Sequence, residues 1–301
     1  MSWQLHTVGM EGVSHPCAPG ARQQTGTLAD TETDMSIEQS RQQALVTGAS
    51  SGIGLELVRQ FADNGFDVIA AAEDDAIHSV VSELASDRAK VTAVQADLAT
   101  YDGVEQLWGA VTATGRPLAA AAINAGIGAG GDFAQQTDLA DELRLIDLNV
   151  KHTVHLGKRV LRHMVERREG RVLFTSSIAS TMPRPYQAVY NASKSFVQSF
   201  AEGVRAEVAD SGVTVTSLMP GPTATDFFRR AGLGDTKLGQ SKKDDAAQVA
   251  EQGFQALMAG KQKIVAGGLM TKAQGISNKV MPDSVKALAH RRMAAPGSGK
   301  N

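Results

Sequence analysis

Tyr190 and Lys194 stand four residues apart in the run AVYNASK. On a helix that spacing puts both side chains on one face, one turn apart. A phenol of unperturbed pKa ~10 is a poor base at neutral pH, and an ammonium one turn away favours its ionised form. Such a pair can trade a proton with an oxygen held beside the hydroxyl. Ser177 lies 13 residues earlier, just past an apolar run. Its hydroxyl can donate to that same oxygen as charge develops on it. Asn149 is an amide between apolar Leu148 and Val150, and a buried amide needs partners. Taken alone, a Tyr-x-x-x-Lys pair is also what an ordinary surface helix carries, so the elements around it decide its weight.

Those elements alternate. Apolar runs at 44–47, 67–72, 90–95, 118–124, 171–176, 213–219 and 263–266 read as strands. Between them, helical patterns are expected at 53–64, 75–86, 100–114, 139–168, 188–211 and 244–259. Strands that are apolar throughout and alternate with helices indicate a parallel sheet covered on both faces. Right-handed crossovers then give a doubly wound (Rossmann) α/β fold of about seven strands. The end of the strand at 171–176 is where an open parallel sheet binds ligands, and Ser177 falls there.

The turn after the first strand reads Thr47-Gly48-Ala49-Ser50-Ser51-Gly52-Ile53-Gly54. Gly48 allows a tight turn, Gly52 a close backbone approach to a pyrophosphate, and Gly54 close packing of helix on strand. The N–H groups of Ser50, Ser51, Gly52 and Ile53 would face the phosphates at a helix N-terminus. At the end of the second strand, Glu73, Asp74 and Asp75 follow one another, and neither that stretch nor the turn 49–51 holds a Lys or Arg. An acid there suits a ribose 2′-hydroxyl and repels a 2′-phosphate. NAD is therefore the expected cofactor, with Glu73 as ribose ligand and NADP as the alternative.

These motifs resemble the short-chain dehydrogenase/reductase family, whose first signature is Thr-Gly-x-x-x-Gly-x-Gly. Asn149, Ser177, Tyr190 and Lys194 match that family's catalytic tetrad in order and spacing. The resemblance implies that Tyr190 is the acid/base and that Ser177 orients a carbonyl. It gives Lys194 the nicotinamide ribose and a lowering of the tyrosine pKa, and Asn149 a water that completes a proton relay. It further implies that Asp97, followed by Leu98, meets the adenine, and that Asn124-Ala125-Gly126 braces the sheet and leaves room for the cofactor. Pro220 and Gly221 match the signature after the sixth strand, with Thr223 near the carboxamide and Thr223 or Thr225 near the phosphates. The family's usual ribose acid falls one position earlier, where this chain has Ala72. The resemblance covers residues 42–267 and implies a homodimer or homotetramer built through the helices at 139–168 and 188–211.

The expected activity is hydride transfer between the cofactor and a hydrophobic ketone or secondary alcohol. The pocket walls would come from Ile178, Met182, Pro183, Tyr186 and a mobile lid at 227–237. Arg184, Arg229 and Arg230 could meet an anion, although exposed Arg is ordinarily solvated. An NADP-dependent 3-oxoacyl-carrier-protein reductase and a non-catalytic dinucleotide-binding regulator are the competing readings. The missing basic residue after the second strand argues against the first and the intact tetrad against the second.

Bulk properties exclude other classes. Thirty Lys and Arg against 32 Asp and Glu leave a net charge of −2, which does not suit a nucleic-acid binder. Cys17 is the one cysteine, so no internal disulfide or cysteine metal site forms, and no metal is expected. His152 and His155 read as a solvated helix face. No apolar run reaches the ~18–20 residues of a membrane span, and the N-terminus lacks a signal-peptide pattern, which favours the cytoplasm.

Three regions follow: a disordered extension at 1–40, the catalytic domain at 41–267, and a basic amphipathic tail at 268–301. Met35 opens a run that would be an ordinary domain start. The stretch 261–301 carries eight Lys or Arg and one acid, Asp283. Leu269, Ala273, Ile276 and Val280 share a helical face expected to pack on the domain or on a partner subunit. A peripheral membrane contact ranks below packing, because the face is small and has no aromatic residue.

Overall fold

The computed structural model describes residues 41–84 and 89–300. The expected N-terminal extension and Cys17 lie outside them. Strands β1 (Gln43–Thr47), β2 (Asp67–Ala72), β3 (Val91–Gln95), β4 (Leu118–Ile123), β5 (Gly170–Thr175), β6 (Val213–Pro220) and β7 (Lys263–Ala266) form one parallel sheet in the order 3-2-1-4-5-6-7. The strand order reverses between β1 and β4, so their C-terminal ends flank the crevice where a doubly wound sheet takes its ligand.

Both faces of the sheet are buried, which is why its strands read as continuous apolar runs. In β1, Ala44 and Val46 face one core and Leu45 the other. The first core is closed by α1 (Gly52–Asp63) through Leu57, Val58 and Phe61, by α2 (Ala76–Leu84) through Ile77, and by α9 (Ala246–Met258) through Val249, Phe254 and Leu257. The opposite core is closed by α3 (Tyr101–Ala113), α5 (His152–Arg167) and α6 (Ala188–Glu207), through Leu107, Leu156, Val160, Met164 and Val197. Leu, Val and Phe at i, i+3 and i+4 supply each buried stripe.

The long helix expected at 139–168 is interrupted. α4 (Leu139–Ile146) passes into a π-turn at Asp147–Lys151 before α5 begins. A π-turn inserts one residue and rotates the face that follows, a device common at functional sites. Asn149 sits at its centre with 1% exposure. The reading of His152 and His155 as a solvated face is corrected. His152 is buried against Leu148 O, and His155 pairs with Glu105 at 2.6 Å while stacking on Tyr101.

Beyond β6 come two short helices, α7 (Phe227–Arg230) and α8 (Lys237–Gln240). Residues after 268 form α10 (Leu269–Val280) and α11 (Asp283–Ala294). α10 packs through its polar side: Thr271 Oγ1 donates to Asp244 Oδ2 at 2.5 Å and Asn278 Nδ2 to Thr181 Oγ1 at 2.9 Å. The expected apolar face therefore turns outward, with Leu269 87% and Ile276 68% exposed and Ala273 exposed as well. Hydrogen-bond partners offered by Asp244 and Thr181 decide the orientation against the hydrophobic pattern. Lys286 Nζ reaches Thr181 O at 3.3 Å, and His290 Nδ1 lies 3.1 Å from Pro185 O. Both helices thus support the loop 178–187.

Candidate active site

The cleft begins at the turn after β1. Gly48 has φ +66°, and a Cβ there would lie 2.9 Å from Ala125 Cα. A Cβ on Gly54 would lie 1.9 Å from Gly48 O, so the start of α1 rests directly on the turn. Ser51, the N-cap of α1, makes no side-chain cap bond, which leaves the first helical N–H groups to whatever enters the cleft. Ser50, Ser51, Gly52, Ile53 and Gly54 all line it. Thr225 packs its methyl over Gly52, where an added Cβ would come within 2.7 Å, so the loop after β6 closes over the turn.

Asn124 ties three strands together. Its Nδ2 donates to Thr47 O at 3.1 Å, its Oδ1 accepts from Thr175 Oγ1 at 3.0 Å, and its N–H donates to Thr47 Oγ1 at 2.9 Å. Ala125, Gly126, Leu98, Pro220, Gly221 and Thr223 also line the cleft. Thr223 Oγ1 donates to Gly221 O at 2.9 Å.

Three of the four residues of the tetrad pattern, Ser177, Tyr190 and Lys194, meet in the cleft. Ser177 follows β5, and α6 brings Tyr190 and Lys194 to the same side of the sheet. Asn149 does not line the cleft but holds its wall. Its Oδ1 accepts from Ile127 N, its Nδ2 donates to Ile127 O, both at 2.9 Å, and the Nδ2 also donates to Ser193 Oγ at 3.0 Å. It thereby pins the loop after β4 to α6.

The charges differ from the sequence reading. Lys194 Nζ donates to Thr175 O at 2.9 Å, and burial lowers its pKa to about 8. Burial pushes the Tyr190 phenol above its usual value, while Arg184 and the Ser177 hydrogen bond pull it down. Arg184 is a cation that acts on the phenol, a role the sequence pattern had not singled out for it.

At the other end, Arg144 of α4 reaches Glu73 Oε1 at 2.6 Å and Asp97 Oδ2 at 3.2 Å. Asp97 also accepts from Ala99 N at 2.9 Å, so its carboxylate is committed to these two partners. Asp74 Oδ2 accepts from Ser50 Oγ at 2.9 Å. Arg230 lines the cleft with Nη2 3.4 Å from Ser51 Oγ. Positive charge therefore stands beside the acids of β2 even though no Lys or Arg neighbours them in sequence.

The segment 227–237 is folded inward. Phe227 packs on Tyr190 with ring centroids 5.2 Å apart, and Ala231, Leu233 and Thr236 are buried. Asp235 Oδ2 accepts from Gly297 N at 3.1 Å, Asp235 O from Gly299 N at 2.9 Å, and Lys237 N donates to Ser298 Oγ at 3.0 Å. Of the expected walls, Ile178 faces the cleft together with Phe227 and Phe228; Met182, Pro183 and Tyr186 do not line it. No group of His, Cys, Asp and Glu that could hold a metal occurs among the described residues.

Residues 42–235 match the family model described as short chain dehydrogenase. The chain belongs to this family. It is an oxidoreductase, in keeping with the seven-stranded fold. Sulfoacetaldehyde reductase 2 of Chromohalobacter salexigens is 33% identical over 184 residues, 61% of this chain and 73% of the relative. The 3-oxoacyl-[acyl-carrier-protein] reductase of a Synechocystis strain is 35% identical over 188 residues, 62% and 76% of the two chains. A short-chain dehydrogenase from Sphingobium yanoikuyae, solved in complex with NADPH, superposes with a TM-score of 0.69 at 26% identity, covering 74% of this chain and 87% of that one.

Proposed function

We propose that the protein interconverts a carbonyl compound and its secondary alcohol with a nicotinamide dinucleotide, NAD in preference to NADP. The observation that carries this reading is that Ser177, Tyr190 and Lys194 line the same cleft as the glycine turn. The uncapped start of α1, the glycine at 48 and the groove past Gly126 suit a pyrophosphate and a nicotinamide ribose. When bound, the nicotinamide ring supplies or accepts the hydride. Tyr190 exchanges a proton with the substrate oxygen, and Ser177 donates to that oxygen and holds it at the phenol. Lys194, within the cleft, is placed to meet ribose hydroxyls. Asn149 keeps the wall at Ile127 in register with α6.

Glu73 and Asp74, at the end of β2, favour the free 2′-hydroxyl of NAD. The apolar flank of the substrate rests on Ile178 and Phe227. A homo-oligomer assembled through α4, α5 and α6 accords with the exposed side chains of Leu139, Leu143, Val154 and Phe196.

Initial rates of NADH and NADPH oxidation over a panel of carbonyl compounds test the proposal. Turnover by the wild type and a fall of about 10²–10⁴-fold in Tyr190→Phe, with the fold retained, support it. Undiminished turnover in that variant, or no turnover of any carbonyl, overturns it.

A further inference from the structure

Arg184 is out of place for a solvated surface residue. It lies in the loop between Ser177 and α6 and lines the cleft beside Tyr190. Its Nε is buried and has no hydrogen-bond partner. No carboxylate pairs with it among the described residues, whereas Arg144 pairs with Glu73 and Arg229 with Asp226. The charges that act on it or feel it are Tyr190 and His290. Burial disfavours its cationic form, as expected for a guanidinium withdrawn from water without a counter-ion.

A second polar group stands next to it unsatisfied. Gln187 is 3% exposed, lines the same cleft, and its Oε1 has no partner. The Gln187 N–H donates to Arg184 O at 3.1 Å, so one tight turn carries both side chains. His290 backs this turn from α11, its Nδ1 3.1 Å from Pro185 O. Burial lowers the pKa of His290 to about 3, so it stays neutral and does not supply the missing counter-charge in either direction. Lys286 holds the preceding segment at Thr181 O. The protein thus supports a buried cation from behind and leaves its front open to the cleft.

A buried, unpaired guanidinium is costly, and such a cost is retained where a ligand supplies the anion. Arginine presents a planar fork that matches an oxyanion in a bidentate manner. Building on the reductase reading, we propose that the substrate is a small carbonyl compound, or its alcohol, bearing a carboxylate or sulfonate, which Arg184 binds. The anion end then lies toward the loop 184–187 and the reacting oxygen toward Ser177 and Tyr190. Ile178 and Phe227 cover the short apolar link between them. This replaces the purely hydrophobic ketone expected from the wall composition.

The test uses the full chain with the dinucleotide it oxidises, on carbonyl pairs matched in size. Short oxo acids are set against their methyl esters, and a sulfonated aldehyde against an uncharged one; the two arms separate carboxylate from sulfonate. The wild type should favour the anionic member of at least one pair by about 30-fold in kcat/KM, the range of a charge-assisted hydrogen bond. Arg184→Gln should bring that ratio to within about threefold of unity, and Arg184→Lys should keep part of it. Should Arg184→Gln fail to fold, inhibition of the wild type decides: acetate or methanesulfonate should compete with substrate where acetamide does not. Equal or better use of the neutral members, persistence of the preference in Arg184→Gln, or absence of anion competition overturns the anchor. Those outcomes leave turnover of neutral carbonyls intact and are distinct from a complete lack of carbonyl reduction, which would remove the reductase reading itself.

Discussion

Arg144 and Glu73 are 71 positions apart in the chain, yet Arg144 Nη2 lies 2.6 Å from Glu73 Oε1. The same guanidinium contacts Asp97, and the two carboxylates hold its pKa up. It therefore offsets part of the negative charge that repels a phosphate at the end of β2, and leaves Asp74 unpaired with it. Removing Glu73 frees Arg144 to face a 2′-phosphate; removing Arg144 leaves two bare carboxylates. Glu73→Ala should raise the NADP-to-NAD ratio of kcat/KM by about tenfold, about 1.4 kcal/mol of discrimination. Arg144→Ala should move it the other way. The ratio is read from initial rates with each dinucleotide, and opposite signs in the two variants are the expected signature.

Lys194 should make the protein, free of dinucleotide, more stable in mild alkali. Its folded pKa of about 8 is below the 10.5 of the unfolded chain. The unfolded state then binds more protons between those values, so stability rises as pH rises through that window. Below about pH 8 the folded protein carries a buried ammonium whose burial costs on the order of 3 kcal/mol. Urea unfolding of the wild type and Lys194→Met at several pH values checks this. The wild type should gain on the variant from pH 8 to 10.5 and run parallel to it below pH 7.

Where the sequence pattern was a run of apolar residues bounded by glycine or acid, the elements could be read closely. β2 and β7 have the expected bounds, β4 and β6 differ by a residue at one end, and β5 is shifted by one residue. Such runs are fully buried, and burial is what composition records. The π-turn at 147–151 was not legible, because one inserted residue leaves the spacing of Leu145, Leu148 and Leu156 looking helical. The only trace of it was the amide of Asn149 between Leu148 and Val150. That α10 turns this face away from its own domain was not legible for a related reason: its partners, Asp244 and Thr181, are polar, and hydrophobic periodicity is blind to them. Arg144 meets Glu73 and Asp97, and Arg184 comes to line the cleft beside Tyr190, only in the folded chain. That Ser177, Tyr190 and Lys194 share one cleft was legible from their order and spacing, whereas the engagement of Lys194 with Thr175 O was not.

Asn149 should matter as much for stability as for turnover. It makes three hydrogen bonds at 1% exposure, two of them to the backbone of Ile127. Asn149→Ala leaves the Ile127 N–H and C=O without those partners, and buried groups without partners cost about 1–3 kcal/mol each. A loss of about 2–4 kcal/mol in chemical unfolding is expected, together with a fall in kcat from the displaced wall. Asn149→Asp keeps the acceptor for Ile127 N but loses the two donated bonds, so its loss should be intermediate.

The last residues should govern the segment over the substrate. Gly297 N and Gly299 N both donate to Asp235, and Ser298 Oγ accepts from Lys237 N. These bonds clamp the loop between α7 and α8, and α7 carries the Phe227 that covers Tyr190. A chain ending at Pro296 loses all three while α11 and its contacts to Thr181 and Pro185 remain. The expected result is faster amide exchange at residues 233–240, a KM raised about 3–10-fold, and a smaller change in kcat, since Tyr190 and Ser177 are not touched. Asp235→Ala removes only the carboxylate bond to Gly297 and should give a fraction of the effect. Unchanged exchange and KM in the shortened chain would show that Leu233 and Thr236, both buried, hold the segment without the clamp.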